Sequence, residues 1–176
     1  MNAKKARVLA IRTVADLLAH ALVIEREAEE RYGELADQMA THNNSAAEAL
    51  FRRLALIEGR HVAQIQALSA GIDLPARAPW EFDWQDGESP EAVETGSVHY
   101  LISAHEAVGL ALRHEARAEE FYRGVANRVR AAAVRELACQ LADEEPEHVS
   151  WLSAWLHDYP PPPSAAHDPD PPMAQE

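Results

Sequence analysis

Residues 47–72 read AEALFRRLALIEGRHVAQIQALSAGI. Taken at alternating steps of three and four, Ala47, Phe51, Leu54, Glu58, His61, Ile65, Leu68 and Ile72 share one helix face. This is the seam a helix buries, and it is apolar except at Glu58 and His61. Three further segments carry a seam of the same kind. One runs from Val14 to Met39 with Glu25 in its middle, one from Leu101 to Val129 with Glu115, and one from Val134 to Trp155 with Glu145 and His148. No run of alternating apolar and polar residues competes with these periods. The four seams predict an all-α four-helix bundle.

Four Glu and two His at core positions require an explanation, because an unpaired carboxylate in a dry interior costs several kcal/mol even after relaxation. A pair of divalent cations among them balances the four negative charges. The spacing supports one shared site. From a first turn near Asn43, Glu25 lies 18 residues back, and Glu58 and His61 lie 15 and 18 forward. From a second turn near Arg130, Glu115 lies 15 back, and Glu145 and His148 lie 15 and 18 forward. At a rise of about 1.5 Å per residue, all six groups sit roughly 22–27 Å from their turns, in one layer. Glu and His at i and i+3 also leave a helix on the same face. The sequence therefore predicts a dinuclear metal site formed by Glu25, Glu58, His61, Glu115, Glu145 and His148. Mixed carboxylate and imidazole donors suit iron or manganese and sometimes zinc, and a carboxylate-rich pair favours iron.

The two halves of the chain repeat. Glu58-Gly59-Arg60-His61 matches Glu145-Pro146-Glu147-His148, and Tyr32 and Tyr122 each lie seven residues after Glu25 and Glu115. Glu29 and Glu119 lie four residues after the same two glutamates. Tyr32 and Tyr122 are candidates to hydrogen-bond a ligand carboxylate, with plain core tyrosine as the alternative. Glu119 is a candidate auxiliary carboxylate, with surface ion pairing as its alternative, and Glu144 faces solvent or a neighbour. Pro146 falls inside a helix, where it removes a hydrogen bond and either adjusts the ligands or is tolerated. His20, His42, His99, His105, His114, His157 and His167 have no partner at ligand spacing and are read as surface or turn residues.

Around the site, Thr13-x-x-Asp16 resembles a capping box that starts helix 1, which runs to about Ala40. Ser45 caps helix 2, which ends at Gly71. Residues 72–97 form a long connection in which Trp80, Phe82 and Trp84 anchor against the bundle and Ser89-Pro90-Glu91 starts a short turn. Helix 3 is under way by Ser103-x-x-Glu106 and runs to about Arg128, and helix 4 ends before Pro160. Short turns make two antiparallel pairs. The connection is long enough to cross the whole bundle and set helix 3 parallel to helix 2. Residues 1–12 form an N-terminal extension, 13–159 the bundle, and 160–176 a Pro-rich acidic tail that cannot pack a core.

A net charge of −13 argues against nucleic acid and anionic membranes as partners. No apolar stretch suits a signal peptide or membrane span, so a soluble cytoplasmic protein is expected. The single cysteine, Cys139, excludes an internal disulfide and any Cys-x-x-Cys site, and its apolar neighbours mark it as an inert buried thiol.

The stretches EREAEERY (25–32), EGRH (58–61), EARAEEFY (115–122) and EEPEH (144–148) resemble the rubrerythrin branch of the ferritin-like superfamily. The resemblance covers roughly residues 13–157. It implies a ferritin-like bundle holding two non-haem iron ions at the six residues named above, with redox chemistry on hydrogen peroxide or dioxygen. It also implies paired bundles, hence a homodimer. Two departures matter. Rubrerythrins proper carry a rubredoxin domain with four cysteines, so here the electron donor is a separate protein. They also carry a further Glu three residues after the third-helix ligand, where this chain has Ala118. The expectation is a di-iron oxidoreductase reducing peroxide. The alternatives are a ferroxidase or iron-sequestering protein using dioxygen, and a non-catalytic metal-stabilised interaction domain.

Overall fold

The structure, a computed structural model, describes residues 11–82, 84, 89–90 and 98–161. The extension before Ile11, Gly87, Glu91 of the expected short turn, His167 and the tail from residue 162 lie outside the described residues. All regular structure within them is helical: α1 Val14–Thr41, α2 Ser45–Leu68, a 3-10 turn at Pro79–Glu81, α3 Ala104–Arg128 and α4 Ala132–Asp158.

The helix starts follow from their caps. The Thr13 side chain accepts from the Asp16 amide at 3.1 Å, and the Asp16 carboxylate accepts from the Thr13 amide at 3.0 Å. Ser103 and Glu106 make the same reciprocal pair at α3. The cap of α2 is Asn44 rather than Ser45, which is already helical. Asn44 follows Asn43, whose φ of 58° turns the chain out of α1. α2 stops at Leu68, three residues short of Gly71, and Gly71 closes the following turn at φ +79°. α4 continues unbroken through Pro146.

Asn44 also fixes the topology. Its side-chain amide donates to the carbonyls of Ile102 at 2.8 Å and Tyr100 at 3.2 Å, tying the α1–α2 turn to the start of α3. The starts of α2 and α3 therefore lie at the same end, and the two helices run parallel. His105 near the start of α3 meets the Tyr159 carbonyl after α4 at 2.8 Å, so α4 returns antiparallel. The crossover begins where Arg77 pairs with Asp16 at the start of α1. Trp84 is buried against His20 of α1 and Phe121 of α3, with Phe82 stacked on it. Trp80 does not anchor: it is 82 % exposed, because the 3-10 turn carries it outward. Ile11, from the expected extension, is buried in the core.

The core has two apolar clusters, one around Phe51, Leu54, Met39, Val108 and Leu152, the other around Leu17, Ile24, Ile65, Phe121 and Leu141. Along each helix one cluster gives way to the other at the same place. The change falls between Ile24 and Ala28, Leu54 and Ile65, Ala111 and Ala118, and Ala142 and Leu152. Those gaps contain Glu25, Glu58, Glu115 and Glu145.

Candidate metal centre

All four glutamates are buried: Glu25, Glu58, Glu115 and Glu145 are between 1 % and 6 % exposed. They fall into two groups that could each hold a metal ion, Glu25 with Glu58 and His61, and Glu115 with Glu145 and His148. In each group one ligand atom per residue lies within 4.8 Å of the others. His61 Nδ1 is 2.9 Å from Glu58 Oε2 and 3.3 Å from Glu25 Oε2. His148 Nδ1 is 3.1 Å from Glu115 Oε2 and 3.2 Å from Glu145 Oε2. The groups face each other through their imidazoles, which stack with centroids 4.3 Å apart and planes 10° apart.

The electrostatics test whether cations fit. Burial pushes the Glu58 carboxyl up to about 7, with Glu115 and Glu25 adding to the rise against the opposing hydrogen bond from His61. Burial likewise pushes Glu145 up to about 8. Burial alone would lower the histidines, but hydrogen bonds to Glu25 and Glu58 outweigh it and raise His61 to about 11. Those to Glu115 and Glu145 raise His148 to about 10. Each carboxylate group thus recruits a positive charge, and a protonated imidazole supplies it. Glu58 Oε1 is buried without a hydrogen-bond partner among the described residues. A donor set of two carboxylates and one imidazole per group, short of positive charge and with a lone oxygen to spare, fits a divalent cation better than a proton.

Several other candidates are placed differently. Tyr32 Oη hydrogen-bonds His114 Nδ1 at 2.9 Å, bridging α1 and α3 one residue from Glu115. Tyr122 is buried edge-on against Phe121. Glu119 is outside both groups; it pairs with Arg123 at 3.3 Å, the i,i+4 partner available on its own helix. Its repeat mate Glu29 leans over α2, so that a Cβ at Gly59 would come within 2.8 Å of Glu29 Oε1. The repeat position of Gly59 is Pro146, and the two halves differ there. Glu144 accepts from Gln64 at 2.7 Å.

His20 and His114 are corrections to the sequence reading. They are 0 % and 2 % exposed, not surface residues. His20 is enclosed by Phe82, Trp84 and Phe121, with Nδ1 donating to the Asp16 carbonyl at 2.7 Å. Burial depresses His114 to about 3, with Arg117 and Arg113 adding to the effect, so it is neutral. Both lie beside a seam rather than on it, where the crossover and the facing helix close over them. Cys139 is half-buried.

No protein-family model and no curated protein matches the chain. Among solved structures it is similar to the uncharacterized conserved protein COG1633 from Magnetospirillum magnetotacticum MS-1. The two share 36 % identity over 87 % of this chain and 99 % of that one, with a TM-score of 0.64. The chain belongs to the COG1633 family. The likeness covers 87 % of this chain and therefore takes in most of its bundle. Among the described residues no helix is long and apolar enough to cross a membrane.

Proposed function

We propose that the chain is a rubrerythrin-type di-iron oxidoreductase that reduces hydrogen peroxide, with electrons from an external donor. The observation that carries this reading is the pair of Glu/Glu/His groups, their glutamates buried, facing each other across the stacked imidazoles of His61 and His148. Ferrous iron bound there would supply Lewis acidity and two electrons, which with two protons convert peroxide to two waters. The residues do the rest. Glu25, Glu58 and His61 would hold one ion, and Glu115, Glu145 and His148 the other, each imidazole giving up its Nδ1 proton. The buried carboxylates provide acceptor oxygens that can bridge or bind singly. The apolar clusters above and below close the layer along the bundle axis, so that solvent reaches it past the partly exposed His61 and His148. The Tyr32–His114 hydrogen bond locks α1 to α3 beside Glu115 and so fixes the spacing of two ligand helices.

A second reading has a specific observation behind it. Ala118 offers no further carboxylate on α3, and Glu119 is held by Arg123. A site without that auxiliary group suits a ferroxidase that uses dioxygen and passes iron on. Rapid mixing separates the two. Protein loaded anaerobically with two ferrous ions per chain is mixed with peroxide or with air-saturated buffer. Fast oxidation by peroxide and sluggish oxidation in air supports the peroxidase. The reverse order, with turnover of added ferrous iron, supports the ferroxidase.

A further inference from the structure

The bundle has two broad faces between its helix pairs, and the described residues of the crossover pack on one of them. Trp84 seals the α1/α3 face, its ring 5.2 Å from His20 and 5.6 Å from Phe121. Among the described residues the opposite face, between α2 and α4, contains a groove of about 720 Å³. One end is bridged by the Gln64–Glu144 hydrogen bond, the other by the Arg53 guanidinium 3.8 Å over the Trp155 ring. Between these bridges the floor is the stacked His61–His148 pair, whose side chains remain 16 % and 14 % exposed. Above the floor stand Leu56, 66 % exposed, and Trp151, 50 % exposed. The Trp151 ring lies 5.5 Å from His148.

Size decides the class of occupant. Peroxide or dioxygen fills about the space of one or two waters, each ~30 Å³. The groove is more than ten times that and falls within the roughly 300–1,000 Å³ of organic-ligand sites. Its lining mixes charged and polar side chains with the exposed Leu56 and Trp151, and the Trp151 indole offers a surface on which a flat ring can stack. Its charges are divided. Arg53 is occupied by Trp155 and Glu144 by Gln64, whereas Arg60 on α2 and Glu147 on α4 make no ion pair with any described residue. A cation left unpaired in a chain of net charge −13 selects an anionic group, and the facing carboxylate accepts from a hydroxyl.

We propose that the α2–α4 groove binds a planar aromatic anion bearing a hydroxyl group. The ring lies against Trp151 and the imidazole edges, the anionic group meets Arg60, and the hydroxyl donates to Glu147. The ligand then abuts both metal-binding histidines, although binding itself does not depend on the metals.

The test is a fluorescence titration of the full-length protein with 6-hydroxy-2-naphthoate. Saturable one-to-one binding is expected, weakened about tenfold by Arg60→Gln and about tenfold by Trp151→Ala. Trp151→Phe should restore most of the affinity. Trp80→Ala, which removes an exposed tryptophan elsewhere, should leave it unchanged. Uncharged 2-naphthol should bind more weakly and be indifferent to Arg60→Gln. Both substituted side chains project from exposed helix positions, and circular dichroism confirms that the variants keep their helices. Binding that does not saturate, or an equal loss in Trp80→Ala, overturns the proposal. So does sedimentation showing that Trp151→Ala splits a dimer whose formation excludes the probe, since a second copy would then occupy the groove. Absent peroxide chemistry would sink the proposed function and leave this binding standing.

Discussion

Metal affinity should rise steeply with pH. Without metal, His61 and His148 are raised to about 11 and about 10, so both carry a proton at neutrality. The atom that bonds to the carboxylates is Nδ1 in both, and a metal taking that position must displace the proton. Each displaced proton makes the binding constant about tenfold larger per pH unit, so two make the product of the two constants about a hundredfold larger. Glu58 and Glu145, raised to about 7 and about 8, release protons of their own and steepen the dependence further. The assay is competition for zinc against a chelator of known affinity between about pH 6 and pH 7. Calorimetry in two buffers of different ionisation heat then counts the protons released. Affinity that does not change with pH, with no proton released, would refute the reasoning, because the imidazoles would then not be the displaced cations.

Glu58→Ala and Glu145→Ala should each lose at least one bound metal, while Glu30→Ala, at an exposed position of α1, should keep both. Equal metal content in the three variants by elemental analysis would contradict the ligand assignment. In the metal-free protein all four shifted groups of the site are raised, so folding takes up protons. Their contribution is complete below the unfolded values of 4.5 for the carboxyls and 6.5 for the imidazoles. It is lost as pH rises through about 7 to 8 for the former and about 10 to 11 for the latter. Thermal unfolding in chelator should therefore show Tm falling from about pH 5 to pH 9, and a rising profile would be the wrong sign. Phe51→Ala empties a site that is 0 % exposed and stacked 6.1 Å from Tyr32, and should cost about 3–5 kcal/mol in urea unfolding. A loss below about 1 kcal/mol would show that the bundle collapses freely around the gap.

The fold and the two Glu/Glu/His clusters of the candidate site were legible for a common reason. A helix buried along one seam repeats its environment every three or four residues, so Glu25, Glu58, His61, Glu115, Glu145 and His148 stand out as polar groups where Leu or Ala is due. Thr13-Asp16 and Ser103-Glu106 were legible because a capping box is local chemistry. His20 and His114 were not, because a narrow seam ignores flanking positions. α1 and α3 bury a second strip, including Ile24 and Leu110, against the crossover and each other. A wider stripe, taking in Leu17, Ile24, Leu110 and Phe121, would have placed both histidines inside. Trp80 and Trp84 lie four residues apart in a connection without periodicity, and nothing local says which one docks. Gly71 pointed to the end of α2 but marks the close of the turn after it, since its positive φ is needed there and not at the last helical residue.

The central claim, that four buried glutamates and two partly exposed histidines form one site for two metals, is tested most directly by counting. Full-length protein, stripped with chelator and kept anaerobic, is titrated with cobalt(II) and followed by its visible absorption. Two equivalents per chain bound tightly before the curve breaks is the result predicted from the paired Glu/Glu/His groups. A break at one equivalent, or weak binding without a break, would contradict it.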